Sequence, residues 1–352
     1  MRRLATMAST LRPALPVRAP ATEQTLQLAR RLLQGERVAL SRAITLCESQ
    51  HPDHGVQAEH LLEHVLKERQ DKTRAFRLGI TGPPGAGKST FIEALGTMLV
   101  RDKGLKVAVI AVDPSSTKSK GSILGDKTRM TKLSVEENAF VRASPTRGHL
   151  GGIAQHTNDV VLLTEAAGYQ VCLVETVGLG QSEIQVDDAV DMLLLVVPPA
   201  MGDELQGVKR GVMEVADMVC VNKADGALEA LAKHAAVDYM HALQLMRRKR
   251  PLWRPRVRQC SATTGMGLDK VWETVEKFRK EMDEAGELER KRSAQAATWM
   301  WAEFADQVAE TAHRDQLTLS KGEEMTRMLA GAEVTPRYAA RALLETFLLR
   351  RT

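Results

Sequence analysis

Between Phe76 and Val275 apolar runs alternate with stretches of helical spacing. Runs at Phe76–Thr81, Val107–Val112, Ala139–Ala143, Val171–Glu175, Met192–Val197, Met218–Asn222 and Arg256–Cys260 predict strands. Several, Met192–Val197 above all, contain no polar alternation, as expected of strands covered on both faces. Strand and helix in regular succession predict an α/β domain with a mostly parallel sheet flanked by helices. Ligands of such sheets bind beyond the carboxyl ends of the strands, and polar clusters follow several of these runs.

Upstream, Leu26, Leu28, Ala29, Leu32 and Leu33 predict a helix ending near Gly35, with a second from Arg37 to Ser49. His51-Pro52-Asp53-His54-Gly55 predicts a turn, and Val56–Arg69 a third helix. His60 and His64 fall four residues apart, a spacing that can hold a metal. No Cys or carboxylate completes a set with them and with His51 and His54, so solvated surface histidines are the expectation. From Glu281 onward Gly and Pro thin out and the pattern is helical. Trp299, Trp301, Phe304 and Val308 form one apolar stripe; Tyr338, Leu343, Leu344, Phe347 and Leu348 form another. These helices either pack on their own domain or form a self-association arm. The pattern divides the chain into 1–21 (leader), 22–72 (helical region), 73–283 (α/β domain) and 284–352 (helical arm).

Composition adds little to this picture. With 352 residues, 43% hydrophobic and 26% charged, the chain is of ordinary globular make-up. A net charge of +5 over that length does not imply nucleic acid. Arg247-Arg248-Lys249-Arg250, followed by Trp253, is expected to be a solvated connection. Four scattered cysteines form neither a redox pair nor a zinc knuckle. No apolar run is long enough to cross a bilayer. Residues 1–20 carry Arg2, Arg3, Arg12 and Arg18 and no acid, the make-up of a mitochondrial transit peptide. A disordered basic start of a bacterial protein is the alternative; Pro13, Pro16 and Pro20 weaken the helix a transit peptide forms.

Candidate chemistry concentrates at Gly82-Pro83-Pro84-Gly85-Ala86-Gly87-Lys88-Ser89. This is G-x-x-x-x-G-K-[ST] after a predicted strand and before a predicted helix opening with Thr90. Glycines let consecutive amides turn toward one anion, and the helix N-terminus adds positive potential. Lys88 is expected at the β- and γ-phosphates and Ser89 Oγ on Mg²⁺. Asp113 ends the next strand and would face Mg²⁺ or the γ-phosphate; Asp126 offers a second carboxylate. Glu175 closes a buried strand with Gly178 three residues on, in the place of a nucleotide hydrolase's Asp-x-x-Gly. Glu175 can hold a metal-bound water or orient the attacking one, and the Gly178 amide can sense the γ-phosphate. Leu179 stands where Ras-like enzymes carry the water-positioning Gln, and Gln181 lies two residues on. Hydrolysis by the isolated chain is therefore expected to be slow, with a partner completing the site.

Asn222-Lys223-Ala224-Asp225 ends another strand. Asp225 can accept hydrogen bonds from guanine N1–H and N2–H₂, and Lys223 can lie along the base. Ser261-Ala262-Thr263 can present the Ala262 amide to guanine O6. Asp203 and Lys209, in the charged stretch after Pro198, either exchange partners between nucleotide states or start an ordinary helix. The expectation is a P-loop GTPase core with N- and C-terminal helical extensions, using GTP/GDP and Mg²⁺.

Gly-Pro-Pro-Gly-Ala-Gly-Lys-Ser-Thr, Val-Asp-Pro-Ser-Ser, Glu-Thr-Val-Gly-x-Gly-Gln-Ser-Glu, Gly-Asp-Glu-Leu-Gln-Gly and Asn-Lys-Ala-Asp together resemble the methylmalonic aciduria type A family, with its MeaB-like and ArgK-like bacterial members. The resemblance covers roughly Thr22 to the C-terminus. It implies a GTPase chaperone of methylmalonyl-CoA mutase that gates adenosylcobalamin loading and protects the mutase. It implies Mg²⁺ on Ser89 with Asp113, Asp126 and Glu175 nearby, and a third switch from Asp203 to Lys209. It implies a homodimer through the C-terminal helices, in the mitochondrial matrix or a bacterial cytoplasm. The adenosyltransferase that supplies the mutase's cofactor is a further implied partner. Two alternatives share the core: a metal-delivery GTPase for a nickel or cobalt enzyme, and a transport-linked kinase.

Overall fold

The structure, a computed structural model, describes residues 19–49, 51–69, 74–113, 130–145, 152–176, 186–199 and 210–349. Asp126, Gly178, Gln181, Asp203 and Lys209 lie outside these residues, as does nearly all of the predicted leader. The chain divides into two compact units, one from Ala21 to Ala296 and another that includes everything from Ala297.

The first unit opens with α1 (Glu23–Leu33), α2 (Arg37–Cys47) and α3 (Pro52–Glu68). Then come β1 (Phe76–Thr81), α4 (Lys88–Arg101), β2 (Val107–Asp113), α5 (Thr131–Ser134), β3 (Ala139–Pro145), α6 (Gly152–Ala166) and β4 (Val171–Thr176). The order continues with β5 (Met192–Val197), α7 (Arg210–Val215), β6 (Met218–Val221), α8 (Glu229–Leu245), β7 (Arg256–Gln259), α9 (Leu268–Glu284) and the start of α10 (Glu287–Arg314). Among the described residues the strands form one sheet in the order β3-β2-β4-β1-β5-β6-β7, and each pairing is parallel. The chain leaves β1 toward β2 and returns to β5 on its other side, so β1 marks the switch point where such sheets bind ligands.

Both faces of the sheet are covered, which is why its strands read as unbroken apolar runs. Leu78, Ile80, Val109, Leu173 and Leu194 cluster with Phe91 and Leu95 of α4 and Phe278 of α9. Their neighbours Ala108, Ile110, Cys172, Val174 and Leu193 cluster with α2, α3 and α6. Leu195, Val197, Val219 and Val221 do so with α7 and α8. Gly79 of β1 belongs to the second face. A Cβ there would sit 2.9 Å from Val190 Cγ2 and 3.1 Å from side-chain atoms of Val186 and Leu193. The segment entering β5 occupies the space a side chain would need.

Two sequence expectations need correction. His51–Gly55 is not a turn. Pro52 is the first residue of α3, a position where its missing N–H costs nothing. His51 and His54 are exposed, and among the described residues no group of three or more His, Cys, Asp or Glu is placed to hold a metal. Nor is Arg247–Arg250 wholly solvated. The Lys249 and Arg250 side chains are nearly buried against carboxylates.

Those carboxylates belong to a cluster at the amino end of the sheet. Asp191 and Asp217 precede β5 and β6 and are 0% and 1% exposed. Asp191 accepts from the Arg77 amide at 2.8 Å and from Arg292 Nε and Nη2 at 2.7 and 2.5 Å. Asp217 accepts from the Leu193 amide at 2.9 Å, from Lys249 Nζ at 3.1 Å and from Arg250 Nε at 2.9 Å. Asp187 Oδ1 takes Lys249 Nζ and Lys291 Nζ at 2.7 and 2.8 Å. Burial opposes the charge on Asp191, but the hydrogen bond and charge of Arg292 outweigh it and hold its carboxyl below the usual range. Asp187 is also held low, with Lys291 and Lys249 overcoming its burial. The Lys291 amine lies below its usual range because burial and Lys249 outweigh Asp187.

From Ala297 the chain is helical through the rest of α10, α11 (Gln316–Ala330) and α12 (Pro336–Leu349). Asp315 caps α11 by accepting from the Thr318 amide at 2.9 Å. Met325, Ala339 and Phe347 are buried, whereas Trp301, Phe304, Tyr338, Leu344 and Leu348 are exposed. Among the described residues no helix is long and apolar enough to cross a membrane.

A carboxylate with a lowered folded pKa contributes stability above its unfolded value and loses it as pH falls through the folded value. Asp187 and Asp191 should therefore support the fold fully above about pH 4 and fail below it. Asp191→Asn leaves Arg292 short of its anion and should cost about 3–5 kcal/mol in urea unfolding at neutral pH. Its stability should also fall less steeply than wild type between about pH 5 and 2. Parallel pH curves for the two chains would remove Asp191 from the acid response.

Candidate nucleotide-binding site

The phosphate-binding sequence joins β1 to α4 at the carboxyl edge of the sheet. Gly82, Gly85 and Gly87 have φ of 151°, 80° and 84°, values that favour glycine. Two of them also lack room. A Cβ on Gly82 would lie 2.0 Å from the Val196 carbonyl oxygen, and one on Gly87 2.7 Å from Asn222 Nδ2. Pro83 and Ala86 are buried, while Pro84, Gly85 and Thr90 are exposed. Gly87 caps α4, whose first residues are Lys88 and Ser89. Lys88 Nζ donates to the carbonyls of Gly82 and Pro83 at 2.8 and 3.2 Å, so its charge lies along the loop.

Glu175, near the end of β4, is nearly buried and accepts from Ser89 Oγ at 2.7 Å. The side-chain oxygen of the helix start thus meets the carboxylate of the neighbouring strand. Ala111 of β2 pairs with Glu175, and Asp113 is the last residue of β2. Asp113 therefore belongs to the same edge of the sheet.

Asn222 closes the other side. It follows β6 and is 1% exposed. Its Nδ2 donates to the Ala86 carbonyl at 2.9 Å, and its Oδ1 accepts from the Ala262 amide at 3.0 Å. One side-chain amide therefore joins the phosphate-binding loop to the Ser261-Ala262-Thr263 segment. Lys223 is exposed with φ of 58°, and its Cε passes 3.7 Å from where a Gly87 Cβ would be. A non-glycine residue in that region is worth a local cost only where the surroundings impose it. Asp225 is half-exposed and follows the buried Ala224, whose amide donates to the Cys260 carbonyl at 3.0 Å. Ser261 is buried, its Oγ accepting from the Thr264 amide at 3.2 Å, and Thr263 is exposed. A Cβ on Gly267 would meet the Gln259 carbonyl oxygen at 2.4 Å, which fixes how this segment leaves β7.

The sequence-predicted residues at 82–90, 175, 222–225 and 261–263 thus come together at one edge, linked by Ser89–Glu175 and by Asn222. Sequence reasoning had set Asn222 within the base-reading motif but had missed its bond to Ala86. The signal was available in part, since Asn can both donate and accept through one planar group.

Asn222→Ala should weaken guanine-nucleotide binding about ten- to a hundredfold, since two buried backbone groups lose their partner at about 1–3 kcal/mol. Titration with a fluorescent GDP reads this. Unchanged affinity would mean that the loops hold their spacing without the bridge.

The profile of the family described as "Methylmalonyl Co-A mutase-associated GTPase MeaB" matches residues 40–316. "Methylmalonic aciduria type A homolog, mitochondrial" of Mus musculus is 45% identical over 328 residues, covering 90% of this chain and 78% of that protein. "GTPase ArgK" of Escherichia coli is 47% identical over 282 residues, covering 79% of this chain and 83% of that protein. A solved structure titled "Crystal structure of LAO/AO transport system kinase" is 36% identical with a TM-score of 0.71, covering 93% of this chain and 99% of that one. With a profile match over residues 40–316, a shared fold and these identities along most of its length, the chain belongs to the MeaB family of methylmalonyl-CoA mutase-associated GTPases.

Proposed function

We propose that this chain binds GTP with Mg²⁺, hydrolyses it to GDP and phosphate, and acts as a G-protein chaperone of an adenosylcobalamin-dependent mutase. The bridge made by Asn222 carries the reading, because one buried side-chain amide ties the glycine-rich loop at Ala86 to the segment at Ala262, which supports assigning the phosphates and the guanine to neighbouring sides of it. Gly82–Thr90 bind the phosphates through backbone amides and Lys88. Lys223 and Asp225 take the guanine, and the Ala262 amide between Ser261 and Thr263 faces its O6. Adenine offers no matching pair of donors to Asp225, so it would leave a carboxylate short of partners.

The Ser89 hydroxyl and Glu175 carboxylate are hard oxygen donors within 2.7 Å of one another, a set that suits Mg²⁺. Asp113 and Asp126 are assigned as further holders. Bound there, Mg²⁺ would offset charge on the β- and γ-phosphate oxygens. Glu175 orients the attacking water, the Gly178 amide senses the γ-phosphate, and Gln181 stands in for the missing neighbour Gln. Since Leu179 occupies that neighbouring position, turnover is slow until the client engages the switch from Asp203 to Lys209.

The family description supports methylmalonyl-CoA mutase as the client. The adenosyltransferase that supplies its cofactor is assigned as a second partner. The exposed Trp301, Phe304, Tyr338, Leu344 and Leu348 support a homodimer through 284–352. With 1–21 as leader, 22–72 as helical region and 73–283 as GTPase domain, the chain would work in the mitochondrial matrix; a bacterial cytoplasm is the alternative, as relatives of both kinds are found.

Calorimetry should give GTP at least about a hundredfold tighter binding than ATP, and Asp225→Ala should cut that margin by about 1–3 kcal/mol without weakening ATP. Equal affinities would end the reading. Single-turnover hydrolysis should accelerate when the mutase is added. Label from the γ-phosphate appearing on protein rather than in water would favour the kinase named in the solved relative's title.

A further inference from the structure

Two of the four cysteines, 40 residues apart in sequence, meet beside the Asn222 bridge. Cys220 lies in β6, and Cys260 directly follows β7. The parallel register sets Cys220 opposite Arg258 and Val221 opposite Gln259. The Cys260 amide extends the ladder by donating to the Val221 carbonyl at 2.9 Å. Side chains alternate between faces along a strand, so Cys220, Asn222 and Cys260 share one face. Both sulfurs belong to residues that are 0% exposed, and they lie 3.1 Å apart in the core cluster that also holds Ala86 and Ala262. Cys260 Sγ also lies 3.6 Å from Asn222 Oδ1.

Counting protons gives this cluster a direction. Each thiol carries one, and an amide oxygen only accepts, so the contact with Asn222 uses the Cys260 proton. The proton between the sulfurs is then that of Cys220. The contact with Cys260, together with burial, pushes the Cys220 thiol well above its usual pKa, so it keeps that proton. Donation runs from Cys220 to Cys260 to Asn222 Oδ1. That oxygen also accepts from the Ala262 amide at 3.0 Å, while Nδ2 donates to the Ala86 carbonyl at 2.9 Å. Turned over, the amide would set its NH₂ against an N–H and an S–H, and its oxygen against a carbonyl oxygen. All three contacts select the orientation that bridges the two loops. We propose that Cys260 is a positioning residue for guanine-nucleotide retention: its S–H, left for Asn222 by the thiol of Cys220, holds the side-chain amide that ties the loop at Ala86 to the segment at Ala262. This rests on the GTPase reading above and adds to it a residue that acts through Asn222 rather than on the nucleotide. A thiol is a weak donor, so its share is smaller than that of Asn222 itself. Low local dielectric keeps it measurable.

The test follows release of a fluorescent GDP from the full chain carrying Cys260→Ala, Cys260→Ser or Cys220→Ala. Cys260→Ala should quicken release about three- to sixfold, the scale of one buried hydrogen bond. Cys260→Ser restores a donor on a side chain scarcely larger than alanine, and should return release to within about twofold of wild type. Cys220→Ala leaves the Cys260 proton on Asn222 and should quicken release by less than Cys260→Ala does. The S–H stretch absorbs where no other protein group does, so infrared spectra supply a second readout. The band lost in Cys260→Ala should lie at the lowered frequency of a thiol that donates. The inference is overturned if Cys260→Ala releases GDP as wild type does. It is also overturned if Cys260→Ser is as fast as Cys260→Ala, since the sulfur's bulk and not its proton would then matter. A lost band at the frequency of a free thiol, or a Cys220→Ala effect as large as that of Cys260→Ala, would equally overturn it. A wild-type chain that binds no GDP would instead overturn the reading of the preceding subsection, and this inference with it.

Discussion

Asn222 sets the spacing on which the nucleotide edge depends. Its amide plane has a carbonyl of the phosphate-binding loop on one side and an amide of the segment after β7 on the other, both near 3 Å. Neither loop could approach more closely without compressing the side chain, nor withdraw without leaving a buried polar group unsatisfied, which is costly in a low-dielectric interior. Gly87 is part of the same constraint. It lies so near Asn222 Nδ2 that a side chain there would displace the bridge. The left-handed backbone of Gly87 and the planar amide of Asn222 therefore specify each other, although 135 residues of sequence separate them. Val196 makes a comparable demand on Gly82 from the neighbouring strand.

Most of the sheet was legible because burial on both faces leaves an unambiguous mark. The seven predicted strands match the observed ones to within two residues, and the errors lie at their ends, where hydrogen bonding rather than apolarity decides. The conformation of the loop between β1 and α4 was equally legible, since glycine spacing there reports backbone conformation directly. Partnerships across long separations were not. Nothing in the sequence pairs the Arg77 amide with Asp191, or Glu93 with the Lys132 amide; each bond depends on which helix lies over which strand. Local rules also misled where tertiary context reversed them. Pro52 looked like a turn residue but begins a helix, and the basic run at 247–250 looked solvated although Lys249 and Arg250 meet Asp217.

The two ends of the sheet differ in how they treat charge. At the carboxyl end polar groups surround backbone that can bind an anion. At the amino end Asp187, Asp191 and Asp217 are consumed by Lys249, Arg250, Lys291 and Arg292, and the guanidinium of Arg292 reaches the Ala75 carbonyl at 2.8 Å as well. Buried ion pairs of this kind contribute little net stability over an apolar replacement, because desolvation offsets their attraction. What they do supply is geometry: an isolated partner is so unfavourable that the start of α10 has one acceptable seat against the sheet. Gln295 reinforces it by donating to the carbonyls of Asp187 and Val190.

Gly79 links that ionic seat to ordinary packing. Val186 and Val190 occupy the hollow its missing side chain leaves, and these valines bracket Asp187 and precede Asp191. A methyl group at position 79 would carry no charge and touch no carboxylate. It would still lift the valines from the strand and draw two anions away from their cations. Volume at one uncharged position thus governs whether oppositely charged groups several residues distant can meet, and a lesion that is steric in origin would be felt there as an electrostatic one.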